Sequence, residues 1–126
     1  MKIPAELNFR MPGEWEPHQG TWLTWPRPDG ISFPGQYESV LPVIAHLIRH
    51  LAQSEEVYVN VWDTAMEESV RQTLTRHKVP VERVFFHHFP AYEPWCRDHG
   101  PIFLVRDTLH GHERAVVDWG YNEVGS

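Results

Sequence analysis

The sequence predicts an α/β fold with a mixed sheet, on three observations. Valines at 57, 59 and 61 alternate with Tyr58 and Asn60, which is the period of a strand. Apolar side chains recur at helical spacing on either side of that run, and two short apolar runs near the end of the chain flank a polar turn. In order, the elements read β-α-β-α-β-β-β, with helices joining parallel strands and a hairpin last.

Residues 4–20 are rich in proline and polar side chains, an irregular arm packed by the indole of Trp15. Trp22-Leu23-Thr24-Trp25 is a short strand that Pro26 ends, and Arg27-Pro28-Asp29-Gly30 carries turn residues. From Gln36 to Gln53 apolar side chains fall at Tyr37, Val40, Leu41, Ile44, Leu47, Ile48 and Leu51, so one helical face is buried. Pro42 is harmless in a first turn capped by Ser39, whereas a helix that starts earlier must kink there. His46 and His50 stand four apart, as in zinc helices of the H-E-x-x-H type. Leu47 takes the general-base position, however, and no third ligand is evident, so both read as solvated.

Nearly every position from Glu56 to Trp62 tolerates burial, which predicts a strand covered on both faces. Thr64-Ala65-Met66-Glu67 has the capping-box pattern and opens a helix to about His77, with Met66, Val70 and Leu74 as its apolar stripe. Val79-Pro80-Val81 breaks it. Arg83 to Phe89 is a third strand, parallel to the second because a helix connects them. His87 and His88 then point to opposite faces and cannot serve one metal. Ile102 to Arg106 and Ala115 to Trp119 pair across Asp107–Arg114, with His110-Gly111-His112 in a flexible tip.

The candidate site is Tyr92-Glu93-Pro94-Trp95-Cys96-Arg97-Asp98-His99-Gly100-Pro101-Ile102-Phe103. Pro94 biases Glu93 toward extended backbone, and Gly100 can take angles that other residues avoid. The loop follows the C-terminal end of the third strand, where open α/β sheets bind ligands. Its chemistry suits a planar cation. A guanidinium offers a rigid fork of N–H donors that Asp98 can accept in bidentate fashion. Trp95 can stack on the flat face, worth about 0.5–2 kcal/mol. The residues alone fit equally a surface ion pair of Arg97 with Asp98 and a core Trp95, an arrangement that adds little stability.

Trp95-Cys96-Arg97-Asp98-His99-Gly100-Pro101-Ile102-Phe103 resembles the W-x-R-D-x-G-P-x-F signature of the agmatine deiminase family, also known as bacterial-type peptidyl-arginine deiminases. Met11-Pro12-Gly13-Glu14-Trp15-Glu16-Pro17-His18 through Thr21-Trp22-Leu23-Thr24-Trp25-Pro26 resembles that family's opening, and Val117-Asp118-Trp119-Gly120-Tyr121-Asn122 its V-D-W-x-F-N. The three motifs stand in the family's order over nearly the whole chain. The resemblance implies the pentein fold, a five-bladed α/β propeller of ββαβ units. It also implies hydrolysis of agmatine to N-carbamoylputrescine and ammonia. By resemblance Asp98 grips the guanidinium as a catalytic and substrate-binding carboxylate, Trp95 lines the same pocket, and Arg97, Gly100 and Pro101 support the site. The family's nucleophilic Cys, its catalytic His and a Glu-Gly-Gly segment lie beyond the stretch matched here. The expectation is therefore residues 1–126 as a single domain, the N-terminal portion of a longer enzyme and inactive alone.

Composition sets further bounds. The chain has 126 residues, 41% hydrophobic and 22% charged, which is enough for one globular core. No apolar run approaches the roughly 20 residues of a membrane span, and the N-terminus lacks a signal peptide's apolar core. A single cysteine, Cys96, excludes an internal disulfide and suits a reducing cytoplasm. The net charge of −6 argues against nucleic acid and favours cationic small molecules; the resemblance implies a small cationic guanidine substrate, agmatine first. No metal or other cofactor is expected; a homo-oligomer is compatible with the composition.

In such an enzyme a thiolate attacks the guanidine carbon, ammonia leaves, and water hydrolyses the thiouronium intermediate. One competing reading makes Cys96 the nucleophile, activated by Arg97 and His99. On a strand-like loop, though, Cys96 and Asp98 share one side while Arg97 and His99 share the other, with Arg97 a buried tether. The other competing class is a catalytically inactive guanidinium-binding module or partner subunit that uses Trp95 and Asp98.

Overall fold

The computed structural model describes residues 2–118 and Gly120. The chain divides into two compact units, His18–Cys96 and a second formed by Met1–Pro17 with Arg97–Ser126. No helix among the described residues is long and apolar enough to cross a membrane.

The first unit runs β1 (Gly20–Thr24), α1 (Tyr37–Leu51), β2 (Glu56–Val61), α2 (Thr64–Arg76) and β3 (Val84–His88). The strands form a parallel sheet in the order β1-β2-β3. Gly20 starts β1 because a Cβ there would stand 2.4 Å from the Glu56 carbonyl oxygen. Two successive crossovers of one hand put both helices on the same face. Ala45 and Ile48 of α1 and Val70 and Leu74 of α2 thus pack with Val57, Val59 and Val61 in one buried core.

The opposite face of the sheet differs from expectation. Tyr58 is only partly buried there, and it stacks on Trp22 at 4.9 Å, which in turn stacks on His87 at 4.8 Å. Trp22 and Phe85 stay exposed, so these rings cover one another rather than being covered by a second layer within the unit. His87 and His88 do face opposite ways: His88 meets Glu67 of α2 at 2.8 Å.

Both helices begin slightly off their expected positions. α1 starts at Tyr37 with Gln36 as N-cap, so Pro42 lies inside it and deprives the Glu38 carbonyl of its helical donor. Ser39 is not the cap; its hydroxyl donates to the Gln36 carbonyl at 2.8 Å. Leu47, expected on the buried face, is exposed, because it lies about 100° around the helix from Ile48. In α2 the cap is Asp63, whose Oδ1 accepts the Met66 N–H at 2.8 Å. The helix ends on Lys78 in the left-handed region at φ 55°, with the Val79 N–H returning to the Leu74 carbonyl.

The second unit contains a hairpin of β4 (Ile102–Thr108) and β5 (Gly111–Val117). Both strands reach further than expected, leaving Leu109-His110 as the turn, followed by Gly111 at φ 118°. Trp119, the expected end of the last strand, lies outside the described residues, as do Tyr121 and Asn122 of the third motif. The parallel and antiparallel pairings expected in one mixed sheet are divided between two sheets, while the α/β class, the parallel strands and the helices stand as predicted. The arm joins the hairpin through Arg10 and Val105, which exchange two backbone hydrogen bonds of 2.9 Å. Arg106 adds a bond to the Leu7 carbonyl and stacks over Phe9 at 4.5 Å. Trp15 does not pack the arm; it is 89% exposed, its ring lying against Gly13, where a Cβ would come within 2.7 Å. Glu16 organises this turn instead. It accepts both arms of the Arg10 guanidinium and the Gly13 N–H, and these bonds hold its carboxyl down at about 2.

Candidate functional site

The signature residues do not run as a strand-like loop. Cys96–His99 forms one helical turn, α3, so successive side chains are rotated by about 100° and the expected two-sided alternation is lost. Gly100 does not use left-handed backbone angles, which among the described glycines fall at Gly35 and Gly111. Pro101 is exposed just before β4.

Trp95 is held within the first unit, half exposed rather than in the core. Its Nε1–H donates to the Ser32 hydroxyl at 2.8 Å, and its ring meets Phe33 tilted, with centroids 6.0 Å apart. The Ser32 hydroxyl in turn donates to one carboxylate oxygen of Glu93. The other oxygen accepts the Ile31 N–H at 2.9 Å. The loop after β1 is thereby fastened to the loop after β3, both at the C-terminal edge of the sheet.

A second cluster stands on the loops after β1, β2 and β3. Arg27 forks onto Asp29, with Nε–Oδ1 of 2.7 Å, and its guanidinium lies 3.9 Å from the Trp62 ring centroid and 5.0 Å from that of Tyr92. The carboxylate and indole environment expected for a bound guanidinium is thus already built once here, around the protein's own arginine. The sequence marked Arg27–Gly30 as turn residues, and it gave no sign that Trp62 and Tyr92 would converge on them.

Cys96 lies under Thr24 and Asn60. Its Sγ is 2.9 Å from Thr24 Oγ1, and the Asn60 Nδ2–H donates to Thr24 Oγ1 at 3.2 Å. Burial pushes the thiol's pKa up, and the Thr24 hydrogen bond offsets only part of that. This environment opposes a thiolate, so the geometry does not favour Cys96 as nucleophile.

In the second unit Arg97 is neither a buried tether nor the partner of Asp98 in a surface pair. Its side chain is 81% exposed and pairs with Glu14. That pairing holds the Glu14 carboxyl below its usual value and raises the guanidinium of Arg97. Asp98 is exposed. Among the described residues no group of three His, Cys, Asp or Glu side chains is placed to hold a metal, and His46 and His50 are both exposed.

The chain is similar to known proteins in sequence and in fold. The family model described as Porphyromonas-type peptidyl-arginine deiminase matches residues 10–126. The agmatine deiminase of Pseudomonas aeruginosa (strain LESB58) is 34% identical over 123 residues, covering 97% of this chain and 30% of that protein. Among solved structures, C. jejuni agmatine deiminase superposes with a TM-score of 0.72 at 15% identity, over 92% of this chain and 32% of that one. A cysteine-to-serine variant of that enzyme with substrate bound gives 0.64 at 16% identity, over 77% and 26%. Identities this low speak for the fold alone. The chain spans about a third of the length of the curated relatives it matches.

Proposed function

Because the chain belongs to the Porphyromonas-type peptidyl-arginine deiminase family, we propose that it is the guanidinium-binding part of an agmatine deiminase-type hydrolase. In this reading it contributes to a pentein propeller that cleaves a guanidine C–N bond and releases ammonia. Trp95 supplies the stacking face and Asp98 the carboxylate, each by its place in the signature. The observation that carries the proposal is the state of Trp95, which is half exposed while its N–H is tied down. An indole fixed at its polar edge and half exposed suits a flat cation.

Asp98 would accept the guanidinium's donors and keep the substrate charged, which leaves its carbon open to attack. Cys96, whose buried environment raises its pKa, is poorly suited to be the attacking thiol. Titration of the chain with agmatine, with Trp95→Phe as control, tests the reading. Agmatine should perturb the signal assigned to Trp95, whereas putrescine, which has no guanidinium, should not. Arginine and an arginyl peptide titrated alongside define the substrate class. No response of Trp95 to any guanidine would overturn the proposal.

A further inference from the structure

Ser32 and Glu93 take no part in the signature motif, yet they form the support on which Trp95 rests. The hydrogen bonds run in one direction: the Trp95 Nε1–H donates to Ser32 Oγ, and the Ser32 hydroxyl donates to the Glu93 carboxylate. Glu93 is itself anchored by the Ile31 N–H. From this chain of bonds we infer that Ser32 and Glu93 are positioning residues that fix the indole of Trp95 and enrich its π face for a cation.

The physical argument has two parts. A lone indole on a loop rotates about two side-chain torsions, and its stacking energy is reduced by the cost of ordering it. The bond to Ser32, with Phe33 against the ring, removes most of that freedom before any ligand arrives. The second part is electronic. A hydroxyl that donates to a carboxylate is a stronger acceptor, because hydrogen bonds in series polarise one another. Negative charge on Glu93 therefore draws the indole proton toward Ser32 and leaves more electron density on the ring. Cation–π attraction grows with that density. Glu93 thus acts on the cation through the ring, without touching it. This inference rests on the reading of Trp95 as a guanidinium-stacking residue.

The test uses the chain labelled with ¹⁵N at the tryptophan indoles. The Trp95 N–H resonance is identified by its loss in Trp95→Phe, and the other indole resonances report whether the fold survives. Ser32→Ala should move the Trp95 resonance upfield and speed its hydrogen exchange about fivefold, as expected for one lost hydrogen bond of ~1 kcal/mol. Ser32→Thr should restore both. Glu93→Gln retains the size and an acceptor but loses the charge. It should shift the resonance in the same direction and weaken agmatine binding about two- to fivefold. A Trp95 resonance indifferent to both Ser32→Ala and Glu93→Gln overturns the inference, whatever agmatine does. A resonance that moves as expected in a chain where no guanidine perturbs Trp95 leaves the positioning intact and removes the guanidinium reading instead. Should Ser32→Ala fail to fold, Glu93→Gln decides alone by the same signal.

Discussion

Asp98 is exposed on α3, so its substitution separates ligand chemistry from folding. Asp98→Asn should leave stability within about 0.5 kcal/mol, as for most exposed positions. It should also weaken agmatine binding about tenfold or more, because a charge-assisted pair is replaced by donors facing donors. Thermal melts and the agmatine titration read the two effects separately; equal affinity would remove Asp98 from the site. Cys96 gives the second prediction at this scale. Its thiol is desolvated, and the Thr24 hydrogen bond lowers its pKa. At pH 8 alkylation of Cys96 should be slower than that of a free cysteine, and slower still in Thr24→Val, which loses a hydroxyl that favours the thiolate. Mass spectrometry of iodoacetamide-treated protein follows both, and a fast-reacting Cys96 would restore it as a candidate nucleophile. The residues of the signature were legible in the sequence as residue types, but their environments were not. Arg97 finds Glu14 across 83 positions, and no local spacing announces such a partner.

The elements were legible wherever periodicity is long. α1, β2 and α2 were each placed from the repeat of apolar side chains, because a two- or 3.6-residue period determines which face meets the core. The ends were less legible. Asp63 and Thr64 can both cap a helix, and the extended backbone at Asp63 decides between them, which composition does not reveal. α3 escaped notice because one turn of four residues has no period to read. The last turn of α2 offers a test of how the helix stops. Lys78 holds a left-handed conformation that costs a residue with a Cβ about 1 kcal/mol. Lys78→Gly should therefore raise stability by roughly 0.5–1 kcal/mol, measured by urea unfolding. A loss of stability would mean that the lysine stem contributes packing worth more than the strain.

At the scale of the whole molecule, the division into two units was not foreseen, because it depends on residues far apart in sequence. The first 17 residues belong with the last 30, through Arg10 with Val105 and Arg106 with Leu7. Acid should loosen this unit. The carboxyl of Glu16 is lowered from 4.5 to about 2 by its bonds to Arg10 and Gly13. A depressed carboxylate contributes stability that is present above pH ~4.5 and lost as the pH falls toward 2. Protection of the Gly13 amide, its exchange relative to an unstructured peptide at the same pH, should fall as the pH drops through that window in the native chain. In Glu16→Gln protection should already be low at pH 6 and show no such step.

The pairing of Arg10 with Val105 also sets a schedule. During synthesis 95 residues separate the two partners, so at ~5–20 residues per second the arm waits roughly 5–20 s for the strand it will join. The stretch His18–Cys96 is complete before then, and its parallel strands close locally through their own helices. The core of His18–Cys96 can therefore form while the arm still waits for its strand.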